Sequence, residues 1–522
     1  MNRWLLILLL SCPALAVDTG DTYVDASIGD ASFLNPMLSN DSASNDIVNL
    51  VYNGLVKYDK DLNVVGDLAQ RYEVLRGGLE IVFHLRKNVR WHDGQPFTAD
   101  DVLFTYEKLR DPKVLTPYAD SFADVEQVTA PDPYTVRVTY KHSFAPGLMS
   151  WSMGIIARHI YKNGDFNTHP ANRHPVGTGP FRFKEWKTDQ YLVLEANRDY
   201  FDGRPNLDRY VYRIIPDQSV QFMEMRNQTI DNIGLTPDQF KAYDAIFQNH
   251  QRYQYPAFKY IFMGFNLRNP LFKDARVRRA IALAIDRESI VKGILLGLGE
   301  PISGPFPISS WAYNKQVPSL PFNPETARQL LKEAGWIPDA KGHLFKNGQP
   351  FTFTLMTNQG NKVRALCTEI IQQQLAALGI DVHVRILEWT VLKDTYIGKK
   401  NFDAIVFGWS MGPEPDNYEL WHSSQQGPSQ YNFCSYSNPD VDRLLVEGRR
   451  NFDQKKRLEI YHRIHALIAN DLPYVFLYCP YELQAIHKRI QGPAVAPAGI
   501  GWNFHEWWVA KDKQRYRTEM IP

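Results

Sequence analysis

The chain has 522 residues, 44% of them hydrophobic and 22% charged. That length exceeds what one hydrophobic core can organise and implies about two to four domains. A formal net charge of +1 points neither to nucleic acid nor to an anionic membrane surface as a partner, and no nucleic-acid partner is expected. Aromatic residues make up 13%, which fits either larger cores or an aromatic-lined ligand cleft.

The first segment reads as a processing signal. Arg3 precedes an apolar run over residues 4–10, far short of the roughly 20 residues that span a bilayer. Ala14-Leu15-Ala16 fits the small-x-small cleavage rule and releases a chain starting at Val17. Leu9-Leu10-Ser11-Cys12 instead has the form of a lipobox, which would leave Cys12 as a lipid-anchored N-terminus. Pro13 after the cysteine and the brevity of the apolar run favour simple secretion, with 1–16 as signal peptide. Both routes export the protein.

Residues 81–86 predict a strand, 92–96 a turn, and Thr98 the cap of a helix that begins near Ala99 and carries Val102, Phe104 and Tyr106. Short strand-like runs dominate up to about residue 260; helices and strands alternate from about 272 to 480. Asn323, Pro324 and Gly335 supply the N-cap, N1 and C′ residues of a helix over 323–335. A strand over 351–355 follows. Apolar residues at 363, 366, 367, 370, 371, 375 and 378 give helical spacing over 361–378. Residues 380–386 alternate as a strand, 390–399 form a short helix and 402–409 a buried strand. This β-α-β-α-β order makes the fold α/β with a parallel sheet and helical crossovers. Ligands bind such sheets beyond the carboxyl ends of strands, which singles out Thr357-Asn358-Gln359-Gly360 and Gly408-Trp409-Ser410-Met411-Gly412.

Once 1–16 is removed, Cys367, Cys434 and Cys479 remain, so at least one thiol of a monomer is free. Cys367 falls on the apolar side of its helix. Cys434 and Cys479 are able to pair in an oxidising compartment, and sequence leaves that open.

Gly408-Trp409-Ser410-Met411-Gly412 is formally G-x-S-x-G, with Asp416 and His505 downstream in triad order. A nucleophile elbow requires a helix immediately after the serine, and Pro413 and Pro415 oppose one. A serine hydrolase using Ser410 is therefore a distant alternative. His462 and His465 read as a partly solvated helix face without the spacing of a metal site. Gly297-x-Gly299 followed by Pro301 lacks the dinucleotide fingerprint. No catalytic residue, metal or cofactor is expected.

Residues 83–102, FHLRKNVRWHDGQPFTADDV, match F-x-L-R-x-x-V-x-W-x-D-G-x-P-x-T-A-x-D-V without a gap. This resembles the signature of the bacterial extracellular solute-binding proteins of family 5, the peptide and nickel receptors of ABC importers. Tyr52-Asn53-Gly54-Leu55, Val176-Gly177-Thr178-Gly179-Pro180-Phe181, Asn197-Arg198-Asp199-Tyr200-Phe201, Phe265-Asn266, the run from Asp274 to Ala280, Ala334-Gly335-Trp336 and Gly408-Trp409 extend the resemblance along the chain.

The resemblance implies a two-lobed periplasmic-binding-protein fold of class II with an additional domain, closing on ligand between lobes. Lobe I would comprise 17–56, 176–256 and 484–522, lobe II 57–175 and lobe III 257–483. It implies a monomeric periplasmic receptor whose partners are a peptide or other small solute and ABC permease subunits. It places Trp389 and Trp409 on the pocket wall, Asn40, Asp41 and Ser42 beside the ligand backbone, and Phe262 where a pocket tyrosine lies. Ser410, Met411 and Gly412 complete the wall loop.

Two departures weigh on the ligand. The aspartate that holds a peptide ammonium in this family falls at Gly412, with Glu414 and Asp416 nearby but out of register. The arginine that holds a dipeptide carboxylate falls in the loop carrying neutral Asn358 and Gln359. These departures disfavour a dipeptide specialist. An oligopeptide-like ligand is the expectation, with an oligosaccharide or other neutral solute as the alternative.

Overall fold

The computed structural model describes residues 17–516 except Ser429. The signal-peptide and lipobox readings of 1–16 lie outside the described residues.

One long strand, Tyr474–His487, organises the molecule. Its first part pairs antiparallel with Lys259–Phe265, and its second part with His250–Pro256. Between them, Gly299–Pro301 pairs across Tyr478, Cys479 and Pro480. Two strand segments thus cross together from one half of a twelve-stranded sheet to the other. One half continues through Ala404–Ser410, Thr352–Asn358 and Asp381–Leu387, the other through Asn232–Gly234, Thr22–Ser27, Arg209–Ile214, Tyr191–Ala196 and Phe181–Lys187.

The first half carries the expected β-α-β-α-β unit. Thr352–Asn358 runs parallel to Asp381–Leu387 along its whole length and to Ala404–Ser410 at Leu355 and Met356. The crossover helix is Lys362–Ala376. Asn361 caps it by accepting from the Arg364 backbone N–H at 2.9 Å, and Cys367, Thr368, Ile371 and Leu375 form its buried face. The second crossover is wound more widely than expected, as a π-helix over Val391–Ile397.

A four-stranded antiparallel sheet, in the order Ala69–Leu75, Glu80–Leu85, Thr135–Tyr140, Val125–Asp132, stands apart. Helix Ala99–Arg110 packs on it. Thr98 and Asp101 form the helix's capping box, and Asp101 also accepts from Trp91 Nε1 at 3.3 Å and the Arg158 backbone N–H at 3.0 Å. The turn of the 83–102 motif docks on residues 176–180. His92 Nδ1 accepts from Gly177 N–H at 3.2 Å and Nε2 donates to Gly179 O at 3.0 Å, which fixes its tautomer. Burial pushes this imidazole down to about 4. Gly177 must be glycine, because a Cβ there would lie 1.8 Å from Val51 O.

Buried ion pairs tie the ends together. Arg489 donates to Asp231 and Asp21 and, at 2.7 Å, to Thr22 O. Its side chain and both carboxylates are almost wholly buried.

The question left open for the cysteines is answered, and one expectation is corrected. Cys434 and Cys479 are free and buried, as is Cys367. Cys434 packs against Gly264, while the Cys479 sulfur accepts from Ile308 N–H at 3.4 Å, so no bridge forms. His465 is not on a solvated face. It is fully buried within helix Gln454–Asp471, bonded to Ser303 Oγ at 3.0 Å and to Asn314 N–H at 3.3 Å, while His462 is half-buried. Among the described residues, no helix is long and apolar enough to cross a membrane.

Candidate functional site

A cavity of about 850 Å³ lies between the two halves of the large sheet. The readable loops converge on it: Asn40, Asp41 and Ser42 from one half, and Asn358, Gln359, Trp389, Trp409, Ser410, Met411, Gly412, Glu414 and Asp416 from the other.

Strand Ala404–Ser410 builds the aromatic wall. Phe407 lies between the two tryptophans, parallel to Trp389 at 5.7 Å and perpendicular to Trp409 at 6.3 Å. Trp409 Nε1 points to Tyr474 Oη at 3.4 Å. Both indoles are half-buried and present an apolar face to the cavity. Phe262 is absent from this lining. It is fully buried behind the wall, stacked on Tyr474 at 3.9 Å. The period of two along Lys259–Phe265 turns Lys259 and Ile261 to the cavity and Phe262 to the opposite face.

On the facing side, Asp41 caps helix Ser42–Val51. One carboxylate oxygen accepts from Ser44 N–H and the other from Ser44 Oγ, both at 2.9 Å. Asn40 and Ser42 on either side are exposed to the cleft. Asn358 ends its strand with its amide donating to Gln359 O at 2.8 Å and its oxygen accepting from Arg364 Nη1.

The loop after Ser410 makes no elbow. Met411 N–H donates to Phe258 O at 2.6 Å, and the next helix is Tyr418–Trp421. The two carboxylates considered for a ligand ammonium are already engaged. Asp416 accepts from Arg449 Nε at 2.9 and 2.8 Å, and Glu414 pairs with Arg457. Burial pushes the Glu414 carboxyl up, opposed by Arg457. His505 sits in another core against Tyr200, at 6.4 Å between rings. Ser410, Asp416 and His505 therefore form no triad, and among the described residues no cluster of His, Cys, Asp or Glu is arranged to hold a metal.

Asp46, Glu419 and Arg364 are among the cavity residues that escaped the sequence reading. Asp46 lies one turn into helix Ser42–Val51. Desolvation, reinforced by Asp25, pushes it up to about 7. Glu419 accepts from Ser121 Oγ at 2.9 Å and is likewise pushed up to about 7 by burial. Their positions near Asp41 and Asp416 were the available signal. Arg364 lies in the first turn of the helix that follows the loop carrying Asn358 and Gln359.

The family model for the middle region of bacterial extracellular solute-binding proteins, family 5, matches residues 63–431. The chain belongs to this family. It is 38% identical to the oligopeptide-binding protein AppA of Bacillus subtilis over 94% of this chain and 92% of AppA. The structure of that protein with a nonapeptide superposes with a TM-score of 0.90 at 37% identity, covering 95% of this chain and all of the other. Two further likenesses are Campylobacter jejuni NikZ with Ni(L-His) and Helicobacter pylori DppA with the peptide STSA. They have TM-scores of 0.86 and 0.85, each at 26% identity, covering 94% and 95% of this chain and 99% of each structure. The fold is thus the two-lobed binding-protein fold of this family, and the cavity lies in its interlobe cleft.

Proposed function

We propose that this protein is the substrate-binding receptor of an ABC importer, capturing oligopeptide-like solutes in the cleft and delivering them to a membrane permease. The observation that carries this reading is the roomy aromatic-walled cavity lined by both halves, in a chain 38% identical to an oligopeptide-binding protein. Its volume lies near the upper end of the roughly 300–1,000 Å³ of ordinary ligand pockets. Broad indole faces tolerate varied side chains, while Asn40, Ser42 and Gln359 offer hydrogen bonds to a peptide backbone.

The protein works as a monomer in the periplasm and turns nothing over, a reading supported in the cleft by Asp416 being engaged by Arg449 and by His505 lying against Tyr200, away from Ser410. Lobe I comprises 17–56, 176–256 and the chain from 484 onward, lobe II 57–175 and lobe III 257–483. The crossing strands near Pro256 and Pro480 support hinges there. Native mass spectrometry of the purified protein tests the reading. A co-purified peptide, or a 1:1 adduct with added oligopeptide whose mass is unchanged after incubation, is expected. A homogeneous sugar adduct would replace the peptide reading with the neutral-solute one.

A further inference from the structure

Seven carboxylates line the cavity, yet only two cationic side chains do, Lys259 and Arg364. Lys259 is paired with Glu482 at 2.6 Å. Arg364 has no such partner: among the described residues no carboxylate forms an ion pair with it. Its recorded polar side-chain contact is Nη1 to the neutral amide oxygen of Asn358, and its Nε–H has no acceptor.

The chain positions this guanidinium with some care. Asn361 caps the helix through the Arg364 backbone N–H, which fixes the residue in the first turn. The guanidinium then lies over the Phe407 ring at 5.3 Å, beside the tryptophan wall. Burial pushes the guanidinium down, opposed by Tyr478 and Cys367, and no carboxylate is among the groups that oppose it. An uncompensated buried charge is costly, and a planar fork with free donors matches a carboxylate.

Resting on the receptor reading above, we infer that Arg364 is the ligand-carboxylate anchor of this cleft, so that the preferred solutes are peptides presenting a free carboxylate to the Asn358–Phe407 end. Asn358 acts as a positioning residue that holds the fork. The cation missing from the loop at Asn358 and Gln359 is thereby supplied from the next helix. The carboxylate is either the peptide's C-terminus or an Asp or Glu side chain, and both present the same chemistry.

Equilibrium capture on the full chain tests this, using random-sequence peptide mixtures of two to nine residues with C-termini either free or amidated. A further arm uses amidated mixtures with and without Asp and Glu. Wild type is expected to enrich carboxylate-bearing peptides by roughly ten- to a hundredfold. Which arm carries the preference tells the terminal carboxylate from the side-chain one. Arg364→Gln should bring the ratio close to one, and Arg364→Lys should restore part of it. Equal capture of carboxylate-bearing and carboxylate-free peptides by wild type would overturn the inference and leave the peptide receptor standing, whether or not a variant folds. Persistence of the full preference in Arg364→Gln would also overturn it. Failure of wild type to capture any peptide would overturn both readings.

Discussion

Single side chains decide most of the behaviour of the cleft. Trp409 is the clearest, since its indole belongs at once to the wall, where Tyr431 meets it edge-on, and to the aromatic layer of Phe433 behind it. Trp409→Ala should weaken peptide binding by about 1–3 kcal/mol while the protein still folds, as measured by calorimetric titration. Unchanged affinity in a folded variant would remove Trp409 from the site. His465 controls a different property, acid stability. Burial pushes its imidazole down to about 3, against about 6.5 in an unfolded chain. The folded state therefore binds fewer protons than the unfolded state between these values. The contribution is fully present above about pH 6.5 and is lost as pH falls toward 3. Between about pH 6 and pH 4, the stability of wild type relative to His465→Gln should fall by about 1.4 kcal/mol per pH unit in urea titrations. Residue roles were the least legible level of the sequence. Asp416 and Glu414 are plain acidic residues until Arg449 and Arg457 arrive from helices beyond them. His465 reads as a surface histidine because nothing local announces Ser303 and Asn314.

Elements were more legible, because local periodicity and capping determine them. The helix Lys362–Ala376 and its flanking parallel strands follow the sequence pattern to within a few residues. Phe262 shows the limit: the face it presents depends on register against Ala404–Ser410 and Tyr474–His487. The continuity of Tyr474–His487 was equally hidden. Pro480 within an apolar run argues against a strand, and it is accommodated where pairing passes from one partner to the next. The element junctions have their own energetic test. Arg489 follows that strand and joins it to Thr22–Ser27 and Asn232–Gly234 through Asp21 and Asp231. Arg489→Ala leaves two buried carboxylates uncompensated and should cost about 3–5 kcal/mol in equilibrium denaturation. A loss under about 1 kcal/mol would show that the pair is not structurally important.

At the scale of the whole molecule, two crossing strand segments join halves that each contribute one side of a cavity. That geometry fits the proposed closure, in which the halves move as units about the crossing while ligand bridges them. Contacts already span the cleft: Lys362 N–H reaches Gln218 Oε1 at 3.4 Å, and Gln425 Nε2 donates to Asp120 at 2.7 Å. In the proposed receptor a peptide is held between the halves rather than on either one. Hydrogen exchange with and without a bound oligopeptide tests it most directly. Simultaneous protection of 40–46 on one side and of 358–364 and 408–419 on the other is the predicted result. Protection confined to one side, or lying outside these segments, would contradict the account.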